Sequence, residues 1–572
     1  MSMLNIGTSA LITSQGALST TSHNISNVNT DGYNRQRIDQ GTRLPNFNGN
    51  QYFGSGVAID NVARIFDGFL SDQVRVSTSQ EKQLDTFATF SHQVDNLLGS
   101  PELSLSSGLQ GFFDAVQNVA NDPTAIPARQ VMLTKADTLA KRFNTLDTQL
   151  NSFNSQVNSN LDAAVKQVNL LSTGIADLNQ SIIEASTGSG GQPNDLLDQR
   201  DQLINKLSKY VSVSTVKQDN GAQNIFIGNG QALVLGNSAT NLSVIPNPTD
   251  TTRSEIGYGT SGINISGQVT GGTIGGLLSV RQDVIDPARA EIDSLAAGLV
   301  TTVNAQHKAG LTLNGNAGGN FFEPTGTPAP DAGSIRLAIV DPRDIAVAFP
   351  VSTATSATNT GTAQLEVNAV DSSGVGFNPL TALSTNLTFT YNAVAKTYTV
   401  NYGAGNTATI SYDPATDSGK TINLSTLSAP HVDFTGAKPP LTITLSGVPG
   451  NTDSFTLTNS AAGGFDNVGD NRNALALAEL QVKKVLNSGT QTFGDSYGIM
   501  VANVATRTNQ ADVGQKTQQA LLDQTNLRYQ SVSGVNLDQE AANLIKYQQA
   551  YKAASKIITV SNTVFNSLLN AM

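Results

Sequence analysis

At 572 residues the chain is several times the usual domain size of about 100–200 residues, so several cores are expected rather than one. Asp, Glu, Lys and Arg supply only 13% of it and the formal charge is −11, a balance that opposes broad contact with nucleic acid or an anionic membrane face. The absence of Cys removes disulfides and thiolate chemistry, and no stretch approaches the ~20 apolar residues of a membrane span.

Leu4, Leu11, Leu18 and Ile25 recur every seven residues near the N-terminus, with Met3, Ala10 and Ala17 beside them, which predicts a helix with a narrow coiled-coil-like seam. Its first formal charge is Asp31, and no basic n-region or long apolar stretch reads as a Sec signal. Phe66, Phe69, Val76, Phe87, Phe90, Val94 and Leu97 predict a second helix. From Leu139 the series Phe143, Leu146, Leu150, Phe153, Val157 and onward to Ile182 predicts one helix of more than 40 residues. The run Gly188–Pro193 stops it, and Asn194 is expected to cap a short helix carrying Leu196, Leu197, Leu203 and Leu207.

Short apolar runs broken by Gly and Asn between Tyr210 and Val269 predict a small β module, and helical spacing returns from Leu277 to Val303. From about Asp341 to Gly464 the period becomes two. Leu387, Phe389, Tyr391 and Tyr398, Val400, Tyr402 flank the turn Asn392–Lys396 as a hairpin, and Ala408, Ile410, Tyr412, Leu441, Ile443, Leu445, Phe455 and Leu457 mark further strands. Helices are expected again at Ala474–Leu486 and from Tyr497 to the end. There Leu537, Leu544, Tyr551, Ile558, Phe565 and Met572 form a second column of sevens, uncharged after Lys556. Two such seams are most simply satisfied by packing on each other or on copies of themselves.

The fold class read from these elements is α+β and multidomain: an elongated helical bundle built from both termini, with a small β module and an inserted β domain. Residues 1–60 and 520–572 are assigned to a terminal coiled-coil-like helical domain, 61–340 and 465–519 to a long-helix middle domain, and 341–464 to the outward β insertion.

Motifs that suggest chemistry do not hold together. Gly257–Gly262 spells G-x-G-x-x-G, but a strand-like Ile263-Asn-Ile follows where a phosphate site needs a helix N-terminus. Gly419-Lys-Thr421 lacks the first Gly of a P-loop, Pro414 standing in its place, and reads as a β-turn. His23, His92, His307 and His431 are scattered without metal-ligand spacing. Asp195, Asp198, Arg200 and Asp201 crowd one short helix and read as helix-end electrostatics and local ion pairs. The acids of the β insertion form no paired arrangement that would suggest a glycan hydrolase. No catalytic, cofactor-binding or metal residue is assigned, and the reading is of a protein that is not an enzyme.

The segment His23-Asn-Ile-Ser-Asn-Val-Asn-Thr-Asp-Gly-Tyr-Asn-Arg-Gln36 resembles the N-terminal signature of bacterial flagellar axial proteins. Asp122-Pro with Ala128-Arg-Gln130, Pro193–Leu203, Asn304-Ala-Gln-His307 and Ser531–Asp538 are similar, more specifically, to the hook-associated protein 1 family. The resemblance implies a structural subunit, exported unfolded by the flagellar type III apparatus and lying outside the cell as a junction ring between hook and filament. It implies as partners other copies of the chain, the hook protein, a second junction protein (hook-associated protein 3) and an export chaperone, with neither nucleic acid nor membrane. Gly32, Tyr33, Arg35, Gln36, Asp195, Asp198, Arg200, Asn536 and Asp538 carry the signature. Leu4, Leu11, Leu18, Ile25, Leu537, Leu544, Tyr551, Ile558 and Phe565 are the candidate assembly interface. Alternatives are a hook or rod protein of the same superfamily, or an adhesin-like surface protein using the β domain.

Overall fold

The computed structural model describes residues 3–48, 51–189, 191–325, 329–370, 386–401, 403, 406–424, 441–460 and 468–571; Tyr402, His431 and Met572 lie outside them. In chain order the first elements are α1 (Met3–Ser26), β1 (Gln36–Thr42), β2 (Asn46–Asn48), β3 (Gln51–Phe53), β4 (Val57–Arg64), α2 (Gly68–Gly99), α3 (Leu105–Asn121), α4 (Ile126–Ser189) and α5 (Asn194–Ser208). Then come β5 (Val213–Lys217), β6 (Gln223–Ile227), β7 (Gln231–Leu235), β8 (Ser238–Ala239), β9 (Leu242–Pro246), β10 (Ser254–Tyr258) and β11 (Ile263–Asn264). A helical stretch follows, α6 (Gly272–Val280), a π-turn at Arg281–Ile285 and α7 (Asp286–Lys308), and then β12 (Phe322–Glu323) and β13 (Arg336–Leu337). The insertion holds β14 (Val351–Thr355), β15 (Gln364–Val370), β16 (Leu387–Asn392), β17 (Thr397–Asn401), β18 (Thr407–Ser411), β19 (Lys420–Asn423), β20 (Leu441–Ser446) and β21 (Ser454–Asn459). The chain closes with α8 (Arg472–Glu479), α9 (Phe493–Ser533) and α10 (Leu537–Ala571). It is a mixed helix and sheet fold, with long terminal helices and several small sheets.

The chain divides into two units: residues 1–93, 152–285 and 506–572, and residues 94–151 and 286–505. In the first, α1 packs on α10, and the antiparallel ribbon of β1 and β4 lies on α1. The α4 face of Val157, Leu161, Val165, Val168, Ile175 and Ile182 is buried. Three asparagines on α4 also hold the β module by its backbone. Asn158 accepts from Ser254 N at 2.9 Å, Asn169 donates to Leu242 O and accepts from Leu242 N at 2.8 Å each, and Asn179 donates to Gln223 O at 2.9 Å. Spacings of ten and eleven residues return these side chains to one face after three turns, so an amide ladder does here what leucines do elsewhere.

In the second unit Phe112, Phe113, Phe321, Phe322 and Phe493 form an aromatic core with ring centroids 5.0–6.3 Å apart. Its β insertion has a five-stranded sheet (β14-β21-β16-β17-β18) and a three-stranded one (β15-β20-β19) that share a single buried cluster. Alternating burial along β16, β20 and β21 follows from the period of two. The hairpin of β16 and β17 turns at Ala393–Lys396, and Lys396 takes the positive φ of 52° that the tight turn requires.

Four expectations change. Residues 36–60, assigned to a helical terminal domain, lie in two β ribbons, the outer of which runs on to Arg64. The helix expected from Leu139 starts earlier, at Ile126. That expected over Ala474–Leu486 ends at Glu479, and Leu486 forms an isolated β-bridge with Gln491 instead. Asn194 caps nothing: Pro193 holds the cap position of α5, and the Asn194 amide donates instead to Val62 O at 2.7 Å. The G-x-G-x-x-G run is a hairpin turn between β10 and β11, with Gly259 and Gly262 at φ 62° and 60°.

Candidate assembly interface

No Lys, Arg, Asp or Glu stands on α1, and its buried face is small: Gly7, Ser9, Thr13, Ser14, Ala17, Thr21 and Asn24. Such a face lets two backbones approach closely. A Cβ built on Gly7 would lie 2.9 Å from Cγ1 of Ile558 and 3.2 Å from Cγ2 of Ile557 while Asn24 meets Glu540, so α10 runs antiparallel across this stripe. The heptad leucines are left toward the side: Leu4 is exposed, and Leu11, Leu18 and Ile25 are half-buried. On α10, Leu544 and Ile558 are half-buried, while Leu537, Tyr551 and Phe565 are exposed, Phe565 by 62%. The intramolecular pair is thus closed by small side chains, and much of both apolar columns remains uncovered.

Where α1 ends, a polar network replaces apolar packing. Asn24 donates to Gln36 O at 2.9 Å and to Glu540 Oε2 at 3.1 Å, and it accepts from Gln36 N at 2.9 Å and Tyr33 Oη at 2.7 Å. Arg35 Nε meets Glu540 Oε1 at 2.7 Å, and its backbone N donates to Ser533 O. Asn536 caps α10 by accepting from the backbone N of Asp538 and Gln539 at 3.0 and 3.1 Å, which explains the Asn-Leu-Asp signature. Gly32, at φ 77°, fits against Gln202 with no room for strain-free replacement.

The charged helix α5 supplies the other side. Asp198 accepts from Asn34 N at 2.9 Å and Asn34 Nδ2 at 2.6 Å, Arg64 bridges Asp198 and Asp201 at 2.7 Å each, and Arg75 reaches Asp201 at 3.1 Å. Asp195 accepts from Gln36 Nε2 at 2.9 Å and lies 3.5 Å from His23, whereas Arg200 binds the Gly221 carbonyl at 2.8 Å. These acids therefore do not make the local pairs expected of them. Asp198, Arg200 and Asp201 are buried and matched to groups far away in sequence, because burial tolerates charge only where partners satisfy it. Removing one partner of such a pair typically costs about 3–5 kcal/mol.

Burial raises the Asp198 carboxyl above its usual range against the pull of Asn34 and Arg64. Burial, with Asp195, Asp198 and Glu540 nearby, pushes the Tyr33 phenol up, and burial beside Asp201 pushes Tyr529 up to about 12. These phenols stay protonated and donate, Tyr529 to Asn34 Oδ1 at 2.6 Å. The network orients chain segments and presents no open nucleophile. Among the described residues no group of three His, Asp or Glu could hold a metal ion.

Sequence reasoning missed Arg64, Arg75, Tyr529 and Glu540, and it held Asn24 and Asn34 only as letters of the N-terminal signature. A usable signal existed for Glu540 in the scarcity of charge: at 13% charged residues, a Glu at the head of an amide-rich helix has few nearby counter-ions and must find a distant one.

The sequence profile of the flagellar hook-associated protein FlgK helical domain matches residues 91–322. Those of the flagella basal body rod protein and the flagellar basal body rod FlgEFG protein C-terminal match residues 4–34 and 528–571, the two helices just described. Over 597 residues the chain is 31% identical to flagellar hook-associated protein 1 of Escherichia coli (strain K12), spanning 100% of this chain and 99% of that one. The chain belongs to the flagellar hook-associated protein 1 family. Its Bacillus subtilis (strain 168) relative of the same name is 23% identical over 98% of this chain and 96% of its own. The solved flagellar hook junction protein FlgK from Burkholderia pseudomallei superposes with TM-score 0.70 at 28% identity, covering 81% of this chain and 100% of that one.

Proposed function

We propose that copies of this chain form an adaptor ring whose inner contact layer is the pair α1 and α10, with the hook protein on one side and a second junction protein on the other. Membership of the family makes the chain a structural protein of the flagellar hook–filament junction, exported to the cell exterior. The supporting observation is the helix pair closed by small residues, uncharged along α1 and after Lys556 on α10, which leaves Tyr551, Phe565 and their neighbours exposed. Large apolar patches on a free surface mark sites of association, and dissimilar faces let one subunit join two different neighbours. The terminal columns, Leu4 to Ile25 and Leu537 to Phe565, are the proposed contacts, and a chaperone covering them before export belongs to the same reading.

The test is Phe565→Asp. Because Phe565 touches little in its own chain, the purified variant should melt as the parent does while its recovery on isolated hooks collapses. Normal recovery on hooks would remove the helix pair from the interface.

A further inference from the structure

Between β1 and β4 the chain projects a second, smaller ribbon. Strands β2 and β3 are three residues each, paired Asn46↔Phe53, Phe47↔Tyr52 and Asn48↔Gln51. Leu44 and Tyr52 are 89% and 74% exposed, Phe47 and Phe53 are also exposed, and the rings of Phe47 and Tyr52 lean on each other at 5.0 Å. Two strands of this length do not hold a hairpin in water by themselves, and four large apolar side chains at one tip are not needed for a core that does not exist.

The base of this arm is fixed in place. Arg43 N donates to Gly56 O at 3.1 Å, and Val57 N donates to Ser9 Oγ at 3.3 Å on α1. A Cβ on Gly56 would come 3.4 Å from the Ile6 Cα, so the arm leaves the helix pair beside the exposed Met3, Leu4 and Ile6. The apolar surface of the arm is thus continuous with that of the helix pair.

Charge selects the partner. No ionic residue occurs from Leu44 to Ile59, none precedes Asp31 and none follows Lys556, in a chain of net charge −11. Two copies repel over most of their surface, but these uncharged surfaces can meet without that repulsion. We infer that the arm formed by Leu44, β2 and β3 is a lateral docking element that seats on the uncharged part of the helix pair of a second copy of this chain, α1 and the stretch of α10 after Lys556. This rests on the ring reading above and adds to it the element that joins one copy to the next. The contact is heterologous, arm to helix pair, and such contacts close into rings or continue as helices. The four side chains offer on the order of 500 Å², below the ~800 Å² that each partner contributes to a stable pair. One arm therefore holds nothing in free solution and acts only where neighbours are already lined up.

The experiment uses the full chain. The triple variant Phe47→Ser, Tyr52→Ser, Phe53→Ser should export and melt as the parent does, yet be recovered on isolated hooks at about a tenth of the parent level or less. Because the chain has no Cys, Gln51→Cys gives a unique thiol for a photoactivated cross-linker applied to assembled hooks, and a product of twice the chain mass is expected. Parental recovery of the triple variant, or cross-linking to hook protein instead of to a second copy, overturns the inference. If Phe565→Asp fails to incorporate while the triple variant incorporates normally, only the arm is wrong. If both incorporate, the ring reading itself has failed.

Discussion

His307 shows what a single buried side chain contributes. Its Nδ1 donates to Gly319 O at 2.9 Å and its Nε2 accepts from Ala346 N at 2.9 Å, an arrangement only the neutral ring can make. Burial, with Arg129 and Lys308 adding positive charge, lowers its pKa to about 4 from an ordinary 6.5. The unfolded chain therefore takes up a proton that the native state refuses. Stability is complete above pH 6.5 and falls as pH drops toward 4, by about 1.4 kcal/mol per unit at most and roughly 3 kcal/mol in all. Thermal unfolding at pH 7, 5.5 and 4.5 should show this slope in the parent and a shallower one in His307→Gln; parallel slopes would assign the acid sensitivity elsewhere. Asn304 and His307 stood out in sequence as a motif, but what they hold, the loops around Phe321 and Ala346, lay beyond any local signal.

At the scale of elements, periodicity found the helices and the strands of the insertion because each buries a continuous face. It failed where the buried face is not apolar. The inner stripe of α1 is Gly, Ser, Thr, Ala and Asn24, so counting leucines points to the wrong side of it; on α5 the leucines find Leu207 but miss Asp198, Arg200 and Asp201, which share its inner face. Ribbon β1 to β4 escaped for a related reason: Gln36–Thr42 contains one large apolar residue, Ile38, and its pairing with β4 is what makes it a strand. Close approach at Gly7 gives a direct check. Gly7→Ala would set a methyl 2.9 Å from Ile558, and overpacking of this kind costs about 1–3 kcal/mol. Circular dichroism of the variant should show the loss of terminal helix at lower temperature than in the parent, with the main unfolding transition unmoved; an unchanged profile would mean that α10 does not rest on that stripe.

For the whole molecule, stability is distributed unevenly, and the distribution bears on assembly. The phenylalanine core of the second unit and the shared core of the β insertion bury large side chains fully. The pair α1 and α10 buries few: among the described residues of α10 only Glu540 and Ala554 are buried, and neither lies beyond its midpoint. An isolated helix loses ordering entropy that only burial offsets, so α10 should open locally at a free energy far below that of global unfolding. The opening should be graded, because Glu540 is tied to Asn24 and Arg35 at one end whereas Val560 to Leu569 are exposed at the other. Hydrogen exchange on a verified monomer should therefore protect residues near Glu540 longer than those after Ile558, and the long buried helix α4 longer than either. Glu540→Gln should shorten protection near the anchor while leaving α4 unchanged. Once subunits are assembled on hooks, the exposed columns gain partners and the gradient along α10 should flatten. Uniform protection of α10 in the monomer would contradict this account, since it would mean that the small-residue stripe closes the pair on its own and that assembly adds nothing to the order of its far end.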